Sequence, residues 1–102
     1  MKFNEKVLEF VKKIPKGKVT TYKIIAEKLG TKAYRAVGNA LKNNKKPIII
    51  PCHRVVNSDG SLGWYMGKKS GKALKIKLLK KEGIQVKKKK IDLKKYLFRF
   101  EE

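Results

Sequence analysis

The sequence predicts a mainly α domain with short β elements, built on a three-helix core whose second and third helices form a helix-turn-helix. Three observations carry this. Apolar residues recur at helical spacing from Phe3 to Ile14, two further short apolar stripes are joined by a turn at Gly30 to Lys32, and the extended-looking runs such as Pro47 to Pro51 are only about five residues long. A chain of 102 residues buries one core and leaves no room for a second domain, so residues 1–102 are read as one unit.

Phe3, Val7, Phe10, Val11 and Ile14 lie on one face with Lys and Glu between them, and Pro15 with Gly17 ends this first amphipathic helix. Val19, Thr20 and Thr21 are β-branched, and Thr21 caps a second helix with the inner stripe Tyr22, Ile25, Ala26 and Leu29, stopped by Gly30. Beyond the turn, Ala33, Ala36, Val37, Ala40 and Leu41 form an apolar face, while Arg35, Asn39 and Lys42 lie together on the other side. The competing reading is an ordinary αα-hairpin with a solvated basic face. Asn43 to Lys46 form a loop, and Pro47 to Pro51 is a buried strand or extended segment that delivers Cys52 and His53 from the core. Asn57 to Gly60 is a turn, and Gly63, Gly67 and Gly71 place Trp64 and Tyr65 in a loop. A last helix runs from Lys69 or Ser70 to Glu82, with Leu74 and Leu78 at i, i+4, Ile76 and Leu79 flanking, and Gly83 as its C-cap. Lys87 to Lys90 form a four-lysine block, and Tyr96 to Phe100 is either a terminal strand or a segment docked on the core.

Twenty-eight Lys and Arg against eight Asp and Glu give a formal charge of +20, which favours a polyanionic partner. Lysine enrichment also marks heat-adapted proteins, but there Glu rises with it to form ion-pair networks, and here it does not. One cysteine excludes an internal disulfide, and one histidine leaves too few soft ligands for a structural zinc, so no metal is expected. No apolar run spans a bilayer and the N-terminus is too charged for a signal peptide, so the expected setting is cytoplasmic, without a membrane partner.

Cys52 stands directly after Ile-Ile-Ile-Pro and directly before His-Arg. A lone cysteine is more often an inert core residue than a nucleophile. An adjacent imidazole, a third group to orient it and a strongly positive field would each favour the thiolate, and His53 and Glu82 are the available partners.

The string Pro51-Cys52-His53-Arg54-Val55, with the isoleucine run before it and Asn57 and the Gly63 to Gly67 loop after it, resembles the O6-alkylguanine-DNA alkyltransferases, the methylated-DNA-protein-cysteine methyltransferases. Gly17 to Tyr22, Arg35 to Ala40 and Asn44 keep that family's order and spacing, so the resemblance covers roughly residues 3 to 86 and leaves 87–102 as a basic and aromatic tail. It implies a winged-helix-like DNA-binding domain whose helix-turn-helix enters the minor groove and flips a nucleotide out. The implied partner is double-stranded DNA containing O6-alkylguanine, bound by a monomer.

The resemblance also implies roles. Cys52 attacks the alkyl carbon on O6 in a single irreversible displacement that needs no cofactor. His53 is the base through a bridging water, with Glu82 orienting it. Tyr22 crowds the phosphate beside the target and offers a phenol hydrogen bond to guanine, and Arg35 fills the gap in the base stack. Ala36, Asn39 and Lys42 share the DNA-facing side of the recognition helix. Asn44 ties the helix-turn-helix to the active-site segment, and the carbonyls of Cys52 and Val55 accept from the guanine amino group. Leu41, Val55, Tyr65 and Met66 wall the base pocket, and the family's active-site lysine falls on Lys72 or Lys75, with the count back from Leu79 favouring Lys75.

Two departures stand beside these matches: the family's companion N-terminal domain is absent from this sequence, and the stretch from Gly67 to Leu78 is about three residues longer than usual. A related branch, the alkyltransferase-like proteins, is similarly short, replaces the cysteine, and binds O6-alkylguanine DNA to recruit other repair factors without transfer. The sequence therefore predicts a suicide alkyltransferase, with a non-catalytic lesion sensor as the alternative and a plain basic DNA-coating domain as a third reading.

Overall fold

Helix α1 (Phe3–Lys12) follows from the apolar spacing: Val7 and Val11 are fully buried, and Glu5 and Lys12 sit at the ends that the helix dipole favours. The computed structural model describes residues 2–45, 50–63, 65 and 71–100. Thr21 closes a short strand, β1 (Thr20–Thr21), and caps α2 (Tyr22–Lys28), its hydroxyl accepting from the Ile24 N–H at 3.1 Å. Gly30 ends that helix with a φ of +73°, a conformation open to glycine without strain. Helix α3 (Tyr34–Lys42) buries Val37, Ala40 and Leu41 and packs against both α1 and α2, which makes the expected helix-turn-helix. It opens one residue later than its apolar stripe suggested, so Ala33 is an exposed N-cap residue and not part of the buried face.

Pro47 to Ile49 lie outside the described residues, as do Trp64, Met66 and Gly67. Ile50 and Pro51 are buried, and the chain then tightens into a 3₁₀ turn, Cys52–Arg54, so the cysteine heads a turn instead of leaving a strand directly. Strand β2 (Val55–Val56) follows and pairs in parallel with β1, in the register Thr20 with Val55 and Thr21 with Val56. Helices α2 and α3 form the crossover that a parallel pair requires. Because successive strand residues face opposite sides, Val55 joins the helical core with Val7, Val37 and Leu41, while Val56 joins a second core with Val19, Leu62, Leu79 and Ile84.

Helix α4 (Lys72–Lys81) corrects the expected stripe, and residues 69 and 70, its anticipated start, lie outside the described residues. Leu74 is 49% exposed, and the inward line is Lys75 and Leu79, with Ile76 and Leu78 partly buried. The rotation is set by Lys75, whose ammonium finds backbone carbonyls inside the fold. Gly83, at φ +86°, turns the chain at the end of α4.

The tail is structured. Strands β3 (Val86–Lys87) and β4 (Lys90–Ile91) form an antiparallel hairpin, and α5 (Leu93–Tyr96) opens on an Asp92 cap to the Lys94 N–H at 3.0 Å. Val19 donates to the Tyr96 carbonyl and accepts from the Phe98 N–H, and Phe100 is buried edge-on against Phe10. Of the two expectations for Tyr96 to Phe100, the docked segment is the one found. Three helices with a hairpin at their side make the winged-helix-like arrangement. No helix among the described residues is long and apolar enough to cross a membrane.

Candidate active site

Cys52 is 4% exposed at the head of its 3₁₀ turn, and three segments distant in sequence meet around it. From the end of the helix-turn-helix, the Asn44 side chain donates to the Ile50 carbonyl at 2.9 Å and hydrogen-bonds the thiol. This places Asn44 where it ties the two segments together. From α4, Lys75 is fully buried, and its ammonium donates to the carbonyls of Val55, at 2.7 Å, and Leu62. Lys72 lies at the start of the same helix and is only partly buried, so of the two candidate lysines Lys75 is the one beside the cysteine. The Val55 carbonyl that the resemblance turns towards guanine already accepts from Lys75.

The next residue, His53, is 1% exposed, and its Nε2 lies 2.8 Å from Glu82 Oε2. The other ring nitrogen, Nδ1, is buried and makes no hydrogen bond among the described residues. Glu82 is held by more than His53. Arg54 Nε reaches both carboxylate oxygens at 2.9 and 3.1 Å, Nη2 reaches Oε2 at 2.8 Å, and Nη1 donates to the Ile14 carbonyl at 2.7 Å. Arg54 stands within the cysteine motif, and the sequence alone assigns it no role. The signal was its charge two positions from the cysteine in a chain with only three arginines.

The electrostatics correct one expectation. Burial pushes the Cys52 thiol up, and the Asn44 hydrogen bond and the Lys75 charge pull it down by less, so the resting group is a thiol and not a thiolate. Burial also drives His53 below its ordinary value despite Glu82, leaving a neutral imidazole at neutral pH. For Glu82, burial raises and the hydrogen bonds from Arg54 and His53 lower, with the net downward, so it is ionised. Burial, with the Cys52 charge adding to it, raises Tyr22 to about 12, and burial lowers Lys75 to about 7. A neutral imidazole held by an ionised carboxylate follows directly in sequence on a protonated thiol, and a thiol in that state reacts as a nucleophile only as its proton leaves.

Around the thiol, Leu41, Val55 and Tyr65 pack with Cys52 in the helical core, and the Tyr65 ring meets His53 edge-on at 6.5 Å. Met66 lies outside the described residues. A cleft of about 670 Å³ runs between the helix-turn-helix and the Asn57 to Gly63 turn, lined by Tyr22, Tyr34, Arg35 and Gly38 on one side and Asn57, Ser61 and Gly63 on the other. Arg35, Asn39 and Lys42 are exposed together on α3, and Ala36 is partly buried. Tyr34, 41% exposed in this cleft, is a functional candidate that the structure adds, and its sign in the sequence is an aromatic residue next to Arg35 outside the apolar stripe.

Comparison with known proteins gives a consistent result. A family model described as the DNA binding domain of 6-O-methylguanine DNA methyltransferase matches residues 2–84. The methylated-DNA-protein-cysteine methyltransferase of Pyrobaculum aerophilum is 52% identical over 79 residues, which are 78% of this chain and 51% of that protein. Among solved structures, S. pombe Atl1 in complex with damaged DNA containing O6-carboxymethylguanine has a TM-score of 0.84 at 32% identity, covering 95% of this chain and 94% of that one. The O6-methylguanine-DNA methyltransferase of Pyrococcus kodakaraensis has a TM-score of 0.69 at 42% identity, covering 82% of this chain and 47% of that one. The chain thus spans about half the length of the curated relatives it matches.

Proposed function

The chain belongs to the 6-O-methylguanine DNA methyltransferase family, and on that premise we propose that it repairs O6-alkylguanine in DNA by moving the alkyl group irreversibly to its own Cys52. The observation that carries this reading is the chain of contacts from Arg54 through Glu82 to His53, next in sequence to a buried thiol held by Asn44. In the step, the Sγ–carbon bond forms as the carbon–O6 bond breaks. The thiol proton passes through a bridging water to His53, and the guanine leaving group takes up a proton with the Tyr22 hydroxyl as nearby donor. Asn44 and Lys75 favour the negative charge that develops on sulfur. No cofactor takes part, and one protein molecule turns over once.

Tyr22 and Arg35 line the same cleft, which suits a mechanism in which Tyr22 turns the damaged nucleotide out of the minor groove and Arg35 takes its place in the stack. Ala36, Asn39 and Lys42 then lie along the duplex, with Leu41, Val55, Tyr65 and Met66 around the extruded base. The end-to-end match to S. pombe Atl1 favours a second reading, a lesion sensor that binds without transfer.

Intact-protein mass spectrometry after incubation with an O6-methylguanine duplex separates the two. Transfer adds one methylene unit to the wild type, mapped to Cys52, and nothing to Cys52→Ala. Lesion-selective binding without added mass would replace the first reading with the second.

A further inference from the structure

The four-lysine block lies outside the residues matched by the family model, and as sequence it is only diffuse charge. The structure gives it a shape. Lys87 and Lys90 pair across the hairpin, and Lys88 and Lys89 form its two-residue turn with φ of +51° and +60°. Turns of this kind select Asn-Gly because both central residues sit in the left-handed region, so two lysines are a poor choice for the backbone alone.

The second strand of the hairpin is anchored to the body of the fold. Gly60 accepts from the Ile91 N–H at 2.9 Å, Ser61 bridges to Lys90, and Ile91 is buried in the second core. Lys88, Lys89, Lys90 and Lys72 line a second cleft of about 310 Å³ whose remaining wall is Asn57, Ser61, Leu62 and Gly63. Asn57, Ser61 and Gly63 wall the Tyr22 and Arg35 cleft as well, so the two clefts lie on either side of one turn. The nearby carboxylate of Asp59 is turned into Ser61, accepting from its N–H at 2.9 Å and its hydroxyl at 2.6 Å.

We propose that the β3–β4 hairpin is a second DNA-binding site, its lysine tip and Lys72 holding phosphates of the duplex whose damaged nucleotide occupies the neighbouring cleft. This rests on the DNA-binding part of the function proposed above. Lysine suits the task because an ammonium serves as a point charge for phosphate without needing a planar partner. Placing the charges on the turn of an anchored hairpin makes the contact local, which sets it apart from the general attraction of a +20 protein.

The test is equilibrium binding to an undamaged duplex across a range of salt concentrations, comparing wild type, Lys88→Asn/Lys89→Gly, and a control that removes the same charge from α1, Lys6→Gln/Lys12→Gln. The Asn-Gly pair preserves the turn, so its thermal midpoint is expected at or above that of the wild type. Loss of two phosphate contacts lowers the slope of log K against log salt by about 1.8, with little change in the α1 control. Equal slopes for the two variants would overturn the inference by showing that only net charge matters. Absence of DNA binding by the wild type would overturn the DNA-binding reading itself, and anionic vesicles bound in its place would assign the lysines to a membrane surface.

Discussion

The Arg54 guanidinium grips the Glu82 carboxylate from 28 residues away, with Nε and Nη2 both within 3.1 Å, and its remaining arm is tied to the Ile14 carbonyl. A planar fork makes these contacts together, whereas a lysine ammonium has neither the reach nor the geometry. Arg54→Lys is therefore expected to leave Glu82 poorly paired and to cost about 3 kcal/mol, read as a lower urea midpoint at unchanged m-value. Alkyl transfer should slow with it because His53 loses a fixed partner. An unchanged midpoint would show that the Arg54 contacts contribute nothing net.

Acid sensitivity should come in two stages. His53 has a folded value below its ordinary 6.5, so the unfolded chain binds the proton more readily, and stability present above about 6.5 is lost as pH falls towards the folded value. Glu82 is also lowered, from 4.5, so its contribution is present above 4.5 and is lost as pH falls further through its folded value. Glu82→Gln should remove the lower stage, and a variant whose acid unfolding curve matches the wild type would contradict this assignment.

A raised thiol predicts slow reaction with a simple alkylating reagent at neutral pH. The rate at Cys52 with iodoacetamide should climb steadily as the solution becomes more alkaline, past the ordinary cysteine value of 9.0. Transfer from O6-methylguanine DNA should instead already run near neutrality, and His53→Gln should push it towards the alkaline profile. An iodoacetamide rate already level at neutral pH would mean that the thiolate is preformed.

Two glycines separate strain from obstruction. Gly30 and Gly60 both have positive φ, but a Cβ at Gly30 meets nothing within 4 Å, while one at Gly60 would stand 2.5 Å from the Ile91 carbonyl oxygen. Gly30→Ala should cost about 1 kcal/mol from backbone strain alone. Gly60→Ala should cost clearly more and increase hydrogen exchange in the β3–β4 hairpin, since Ile91 must move. Equal losses would mean that the hairpin yields freely.

Arg35 is exposed on α3 and lines the cleft with Tyr22. Arg35→Ala is expected to lower the rate of alkyl transfer while leaving the salt slope of binding nearly unchanged, because a side chain in the base stack neutralises no phosphate. A slope lower by about 0.9 would make it an ordinary phosphate contact.

The three-helix core and its helix-turn-helix were legible in the sequence because their determinants are local. The spacing of Val7 and Val11 gives α1, the Thr21 hydroxyl caps the helix that follows it, and Gly30 takes the backbone conformation that stops it. For the candidate site, the resemblance carried by the residues around Cys52 implied a contact between His53 and Glu82, and the structure holds His53 Nε2 2.8 Å from the Glu82 carboxylate. What only the tertiary structure decided were contacts between segments far apart in the chain. The pattern placed Leu74 inside, yet α4 turns Lys75 inward, because the carbonyls of Val55 and Leu62 converge where its ammonium ends. The positive charge of the chain suggested a thiolate, yet burial outweighs it at Cys52, since desolvation depends on how many atoms surround a group and not on net charge. Arg54, Tyr34 and the lysine tip of the hairpin acquired their places in the same way, from neighbours that the sequence order does not reveal.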